Sequence, residues 1–126
     1  DAARSAGLTL RGDFGLHVFN AQALKALKHL GFASATASFE LKLAQIRDLS
    51  KCIDLEVIVY GRLPLMLTEN CIVKNHFGRC NCQEAPMLTD RKGERFPVVR
   101  APGCRSEILN AKTRFLADKP EYRRAG

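Results

Sequence analysis

The sequence predicts an α/β fold: a partial, TIM-barrel-like (β/α) unit over residues 1–66, followed by a small β-rich segment with cysteines over residues 67–126. Short apolar, β-prone runs alternate with amphipathic helical patterns in the first part, which is typical of parallel βαβ units. All five prolines lie at or after Pro64, where helical periodicity disappears. These two observations define the predicted class.

Strands and helices alternate in the predicted first part. The predicted strands are residues 15–19, 32–37 and 55–60. The first helix follows Asn20, a residue type favoured at N-caps, and ends at Gly31. The second helix is predicted to begin after Ser38. The order is strand, helix, strand, helix, strand with short connections, so the strands are expected to be parallel.

The second part is predicted to contain a hairpin and two further strands. The hairpin joins residues 87–89 to residues 95–99 through a turn that contains Gly93. The further strands are residues 106–109 and 113–117. We expect this segment to pack on the C-terminal face of the barrel.

Three parallel strands do not make a finished domain, because they leave two open edges and two faces to cover. A complete barrel of eight such units takes about 250 residues. Residues 1–66 are therefore predicted to be the C-terminal βαβαβ part of a longer barrel, and the remainder of that barrel is the first expected partner. We expect the chain alone to be inactive. A small doubly wound sheet is the alternative.

Composition and charge narrow the function classes. A hydrophobic fraction of 46% excludes general disorder, and no apolar run reaches the length of a membrane span. The net charge is +7, and residues 61–126 hold thirteen basic and seven acidic side chains, against seven and six in residues 1–60. The second half is thus expected to attract anions. An odd number of cysteines, five, with no export signal indicates the reducing cytoplasm.

Four of the five cysteines form a C-x8-C-x-C-x21-C pattern. They are Cys71, Cys80, Cys82 and Cys104. Four thiolates can close a tetrahedral zinc site or hold an iron–sulfur cluster. The spacing leaves the metal open, and unligated cysteines or disulfides are the alternatives. Cys52 stands apart and is predicted to be a small apolar residue.

The arginines of the second half are candidates for anion binding. Arg79 and Arg105 adjoin proposed ligands, and Arg91 lies in the predicted hairpin turn. Their positive charge favours thiolates and attracts phosphate groups. The predicted ligand of this half is therefore anionic, with a well-solvated basic surface as the alternative.

No hydrolytic motif is present in the sequence. It contains neither a Gly-x-Ser-x-Gly elbow nor a His-Glu-x-x-His helix, and no glycine-rich phosphate loop. Barrel enzymes place their working residues at the C-terminal ends of strands. The catalytic candidates are therefore Glu56, Tyr60 and Arg62, at the end of the third predicted strand.

The stretch from residue 56 to residue 74 resembles peptidase family U32, the collagenase-like proteases. The family signature has a glutamate, an apolar residue, a glycine and a cysteine in the positions of Glu56, Ile58, Gly61 and Cys71. Four further segments also resemble this family: residues 15–20, 36–41, 88–93 and 104–110. The chain departs from the signature at Pro64, where the first signature cysteine is expected, and the Cys80-x-Cys82 pair supplies candidate replacements.

The resemblance implies two different activities. The family name implies proteolysis of collagen-like peptides. Other members carry a four-cysteine [4Fe–4S] cluster and act in oxygen-independent hydroxylation of RNA or in quinone biosynthesis. Clustered thiols, a basic half and the lack of a hydrolytic motif favour a [4Fe–4S] enzyme of RNA modification. The alternatives are a peptidase acting on a peptide substrate, and a non-catalytic RNA-binding module with zinc or no metal.

Overall fold

A three-stranded parallel sheet organises the first part of the chain in the computed structural model, which describes residues 5–49, 51–79 and 86–124. Its strands are β1 (Leu10–Gly12), β2 (Phe32–Thr36) and β3 (Asp54–Glu56), in that order across the sheet. The parallel α/β prediction is thereby confirmed. Within the described residues the sheet is open and no closed barrel forms, so the barrel stays a prediction.

Helix α1 (Ala21–His29) follows the predicted boundaries closely. The Asn20 side chain accepts a hydrogen bond from the Ala23 amide at 2.9 Å, which satisfies one of the free donors at the start of the helix. Leu24 on its inner face is completely buried. Local capping and apolar spacing agree here, which explains why the sequence pattern was sufficient.

The predicted first strand was wrong. Residues 15–19 hold the end of a 3-10 helix (Phe14–Leu16), capped by Asp13, and a single parallel bridge between Val18 and Ala37. His17 has a left-handed conformation with φ of 48°, which interrupts any strand. The strand that pairs with β2 is instead Leu10–Gly12.

The second helix and the third strand of this part have ends that differ from the predicted ones. Helix α2 (Leu43–Asp48) begins later than predicted, because the Gln45 side chain accepts from the Lys42 amide while Ser38 Oγ accepts from the Glu40 amide. The predicted third strand is shortened to residues 54–56. The next strand along the chain, β4 (Tyr60–Gly61), belongs to a separate two-stranded sheet with β9 (Arg114–Phe115).

The core of this unit lies on the helical side of the parallel sheet. Ala35 and Leu55 from the sheet pack with Leu24 of α1 and Ile46 of α2. Tyr122, from helix α4 (Pro120–Arg123), is partly buried against the same cluster. The unit accordingly comprises the residues up to Val59 together with those from Phe115 onward.

The second unit, residues 60–114, is built on a four-stranded antiparallel sheet. Its strands, in spatial order, are β5 (Pro64–Thr68), β8 (Arg105–Leu109), β7 (Arg95–Ala101) and β6 (Met87–Thr89). The predicted hairpin is confirmed: Gly93 has φ of 82°, and Asp90 Oδ1 accepts from the Lys92 and Glu94 amides.

A short helix in this unit corrects the prediction that helical structure ends with the first part. Helix α3 covers Ile72–Phe77 and buries Val73. A helix of six residues has too few turns to give a periodic hydrophobic pattern in the sequence. Strand β5 was not predicted either. No helix in the described residues is long and apolar enough to cross a bilayer.

Candidate functional site

Cys71 and Cys104 line one cavity in the second unit, although they are distant in sequence. The cavity has a volume of about 210 Å3. Its lining residues are Glu69, Asn70, Cys71, Lys74, Asn75, Gly103 and Cys104. We call it the cysteine cavity.

Cys71 is placed by the start of helix α3. It is the N-cap residue, and its Sγ accepts a hydrogen bond from the Lys74 amide at 3.4 Å. The side chain is half-buried. Lys74 thus contacts Cys71 through its backbone amide and lines the same cavity.

Cys104 is placed by the tight turn between β7 and β8. Ala101 pairs with Arg105, so the turn between them consists of residues 102–104. Gly103 has φ of 77° and Cys104 has φ of 57°. The left-handed conformation costs a residue with a side chain about 1–2 kcal/mol. Such backbone conformations concentrate at functional sites, which makes Cys104 a notable residue for a turn position that favours glycine.

The donor set of the cysteine cavity suits a soft metal centre. Cysteine sulfurs select zinc, copper(I) or iron–sulfur clusters over the hard cations that prefer carboxylates. No group of three or more His, Cys, Asp or Glu side chains placed to hold a metal occurs in the described residues. The other two predicted ligands, Cys80 and Cys82, lie outside those residues. Within the described residues, the cysteine cavity thus offers two thiols as donors.

The arginines predicted to bind anions lie in three different settings. Arg79, just after α3, and Arg91, in the hairpin turn, are exposed. Arg105 instead contacts its own unit: its Nε donates to the Pro102 carbonyl at 2.8 Å and its Nη1 lies 3.6 Å from Glu69 Oε1. Arg105 thus braces the turn that carries Cys104.

A second polar cluster lies on the parallel sheet of the first unit, away from its apolar core. The Ser34 hydroxyl donates to Glu56 Oε1 at 2.6 Å, and Arg11 Nη1 lies 3.4 Å from the same oxygen and 3.3 Å from Ser34 Oγ. Ser34 is completely buried, whereas Arg11 and Glu56 are exposed. We call these three residues the strand network. It fixes one carboxylate oxygen of Glu56 on the sheet.

The three catalytic candidates are used differently by the structure. Glu56 lies in the strand network. Arg62 Nη1 donates to the backbone carbonyls of Asn110 and Ala111, which is a structural contact. Tyr60 is an exposed residue of β4. Of the three, Glu56 is the one whose side chain accepts from both a serine and an arginine side chain.

Arg11, Ser34 and Lys74 were not selected as site residues from the sequence. Arg11 and Ser34 lie on short strands with no motif around them, and only the parallel register brings them to Glu56. Lys74 lies three residues after Cys71, and this short spacing was the sequence signal that pointed to it.

The fold and these sites define a mixed α/β protein with a cysteine cavity in one unit and a carboxylate network in the other. Residues 5–85, well over half of the chain, match the family model of peptidase family U32. The chain therefore belongs to this family. Neither the curated proteins nor the solved structures gave a match. The matched range ends before Cys104, and before two of the segments on which the resemblance was based.

Proposed function

We propose that this protein is a cytoplasmic iron–sulfur-dependent member of peptidase family U32 that acts in RNA modification by oxygen-independent hydroxylation. The observation that carries the proposal is the meeting of Cys71 and Cys104 at one cavity. The pairing of β5 with β8 brings their segments together, and two thiols at one cavity are what a cysteine-held metal centre requires.

The centre would be held by four cysteines, with Cys80 and Cys82 completing the set begun by Cys71 and Cys104. A bound [4Fe–4S] cluster would supply one-electron chemistry. Lys74, at the edge of the cysteine cavity, offsets part of the negative charge of thiolate ligands. These roles follow from the chemistry of the donors.

RNA is the favoured substrate because of where the positive charge lies. Exposed Arg79 and Arg91 belong to the same unit as the cysteine cavity. Exposed arginines bind the phosphate backbone through counterion release, so binding should weaken with salt. Replacing both arginines with glutamine should weaken binding of a single-stranded RNA and flatten its salt dependence, measured by fluorescence anisotropy.

Reconstitution under anaerobic conditions tests the metal. The chain is incubated with ferrous iron and sulfide, and iron, sulfide and visible absorbance are measured. We expect a brown protein with about four irons per chain. Cys71→Ser and Cys104→Ser should each lose the absorbance, while Cys52→Ala, a matched control in the other unit, should retain it. A colourless protein with zinc or no metal would refute the proposal.

The second candidate is a collagenase-like peptidase, which the family match favours. The hydroxyl of Ser34 lies beside Glu56 but is completely buried, so it cannot reach a peptide bond. This candidate predicts gelatin cleavage that survives both iron removal and the two cysteine substitutions. Cleavage lost with Glu56→Gln but kept in those variants would favour the peptidase.

A further inference from the structure

The two segments that carry Cys71 and Cys104 are joined by hydrogen bonds that converge on Ser106. The Ser106 hydroxyl accepts from the Ile72 amide at 3.1 Å, and the Ser106 carbonyl accepts from Thr68 Oγ1 at 3.1 Å. Ile72 directly follows Cys71, and Ser106 is two residues after Cys104. One residue thus connects the start of α3 to the strand that leaves the Cys104 turn.

The hydroxyl of Ser106 is the strongest of these connections. Ser106 is only 4% exposed, so water cannot replace its hydrogen bond to the Ile72 amide. Besides the backbone ladder of β5 with β8, another side-chain connection is the Arg105–Glu69 ion pair, in which the Glu69 side chain is 81% exposed. Exposed ion pairs contribute little because solvent screens them. Loss of Ser106 should therefore separate the two cysteines more than loss of the ion pair.

The position of Ser106 in the sheet makes the connection rigid. Ser106 pairs with Thr68 of β5 and with Arg100 of β7, because its own strand, β8, lies between these two strands. Its backbone is fixed by two ladders while its hydroxyl reaches the amide that starts α3. Without that acceptor, the helix start would lose its buried hydrogen bond to β8 and keep the packing of Val73 and the hydrogen bond from the Lys74 amide to Cys71 Sγ.

We propose that Ser106 is a positioning residue, which holds Cys71 and Cys104 at the cysteine cavity so that both sulfurs can bind one ligand atom or cluster. The function of this arrangement rests on the proposed metal centre, but the juxtaposition of the two thiols can be tested without metal. The residue acts through Ile72 and the turn, and it does not itself ligate.

The test uses a chain in which Cys71 and Cys104 are the remaining cysteines, with Cys52→Ala, Cys80→Ser and Cys82→Ser. Dibromobimane, which fluoresces strongly once it has joined two thiols, reports whether the pair can be bridged within one molecule. We expect bridging in this background. Ser106→Ala should lower the bridging rate about fivefold, as expected for the loss of one hydrogen bond of about 1 kcal/mol.

Two variants separate positioning from general stability. Ser106→Thr keeps a hydroxyl acceptor and should restore most of the bridging. Ser38→Ala removes an equally buried serine hydroxyl from the other unit, 4% exposed, and should leave bridging unchanged. If Ser106→Ala fails to fold by circular dichroism, Thr68→Val decides instead, because it removes the hydrogen bonds from Thr68 Oγ1 to the Ser106 and Asn70 carbonyls, both beside the start of α3, and should lower bridging about twofold.

The outcomes distinguish this inference from the proposed function. Equal bridging in the background, Ser106→Ala and Thr68→Val would overturn the positioning role, whatever the metal content. Absence of bridging in the background would also overturn it. Bridging that depends on Ser106, in a protein whose native cysteines take up no iron, would support the positioning role and refute the iron–sulfur proposal. In the reconstituted native chain, Ser106→Ala should lower the cluster absorbance by a similar factor.

Discussion

The strand network predicts that a buried serine hydroxyl stabilises Glu56 more than an arginine does. Ser34→Ala removes the 2.6 Å hydrogen bond to the Glu56 carboxylate. Hydrogen bonds to charged groups contribute about 1.5–3 kcal/mol. The Glu56 side chain is 48% exposed, so water compensates in part and the lower end of that range applies. We expect a coupling free energy of about 1.5 kcal/mol between Ser34 and Glu56.

The Arg11–Glu56 contact should be worth much less. The two groups lie 3.4 Å apart, and the Arg11 side chain is 67% exposed. Exposed ion pairs contribute about 0.2–1 kcal/mol and are screened by salt. The stability difference made by Arg11→Met should therefore shrink at high salt, whereas the difference made by Ser34→Ala should not.

Double-mutant cycles measured by urea unfolding compare the two contacts. The variants are Ser34→Ala, Arg11→Met and Glu56→Gln, alone and in pairs, at low and high sodium chloride. The cycle isolates each pairwise free energy as long as unfolding stays two-state. If the Arg11–Glu56 coupling exceeded the Ser34–Glu56 coupling at high salt, the assignment of the buried hydrogen bond as dominant would be wrong.

Three further predictions concern the core, the turn and a lysine. Leu24→Ala should lower the free energy of unfolding by about 2–5 kcal/mol, because it empties a completely buried position, and urea denaturation checks this. Cys104→Gly should leave the urea midpoint unchanged or raised, because the relief of about 1–2 kcal/mol of left-handed strain offsets the greater chain entropy of glycine in the unfolded state. Iron uptake should be lost in this variant. A lowered midpoint would contradict the strain. Burial lowers the pKa of Lys51 from 10.5, so its charge destabilises the folded state at neutral pH and this penalty is lost as the pH rises through the folded pKa towards 10.5. The stability of the protein relative to Lys51→Met should accordingly increase with pH in that range, and a constant difference between pH 8 and 10.5 would contradict the shift.

Local signals accounted for the elements that the sequence predicted well. Asn20 caps α1 through its own side chain, and Gly93 provides the positive φ that the hairpin turn needs. Each of these depends on a few consecutive residues. The prediction of the first strand also depended on a few consecutive residues, and it was wrong. Residues 15–19 are apolar and β-prone, but Asp13 caps a 3-10 helix there and His17 is left-handed. The strand that pairs with β2 is instead Leu10–Gly12, whose three residues are too few to show a strand pattern in the sequence.

The sequence by itself determined the mixed α/β class, the order of parallel strands and helices, the hairpin and the membership of peptidase family U32. The tertiary structure alone decided which side chains meet. Arg11 and Ser34 reach Glu56 only through the register of three parallel strands. Cys71 reaches the cavity of Cys104 only because β5 pairs with β8 and Ser106 holds the start of α3. Periodicity and capping act within a few residues, whereas strand register is set by burial across the whole sheet, and for that reason the sites could not be assembled from local pattern.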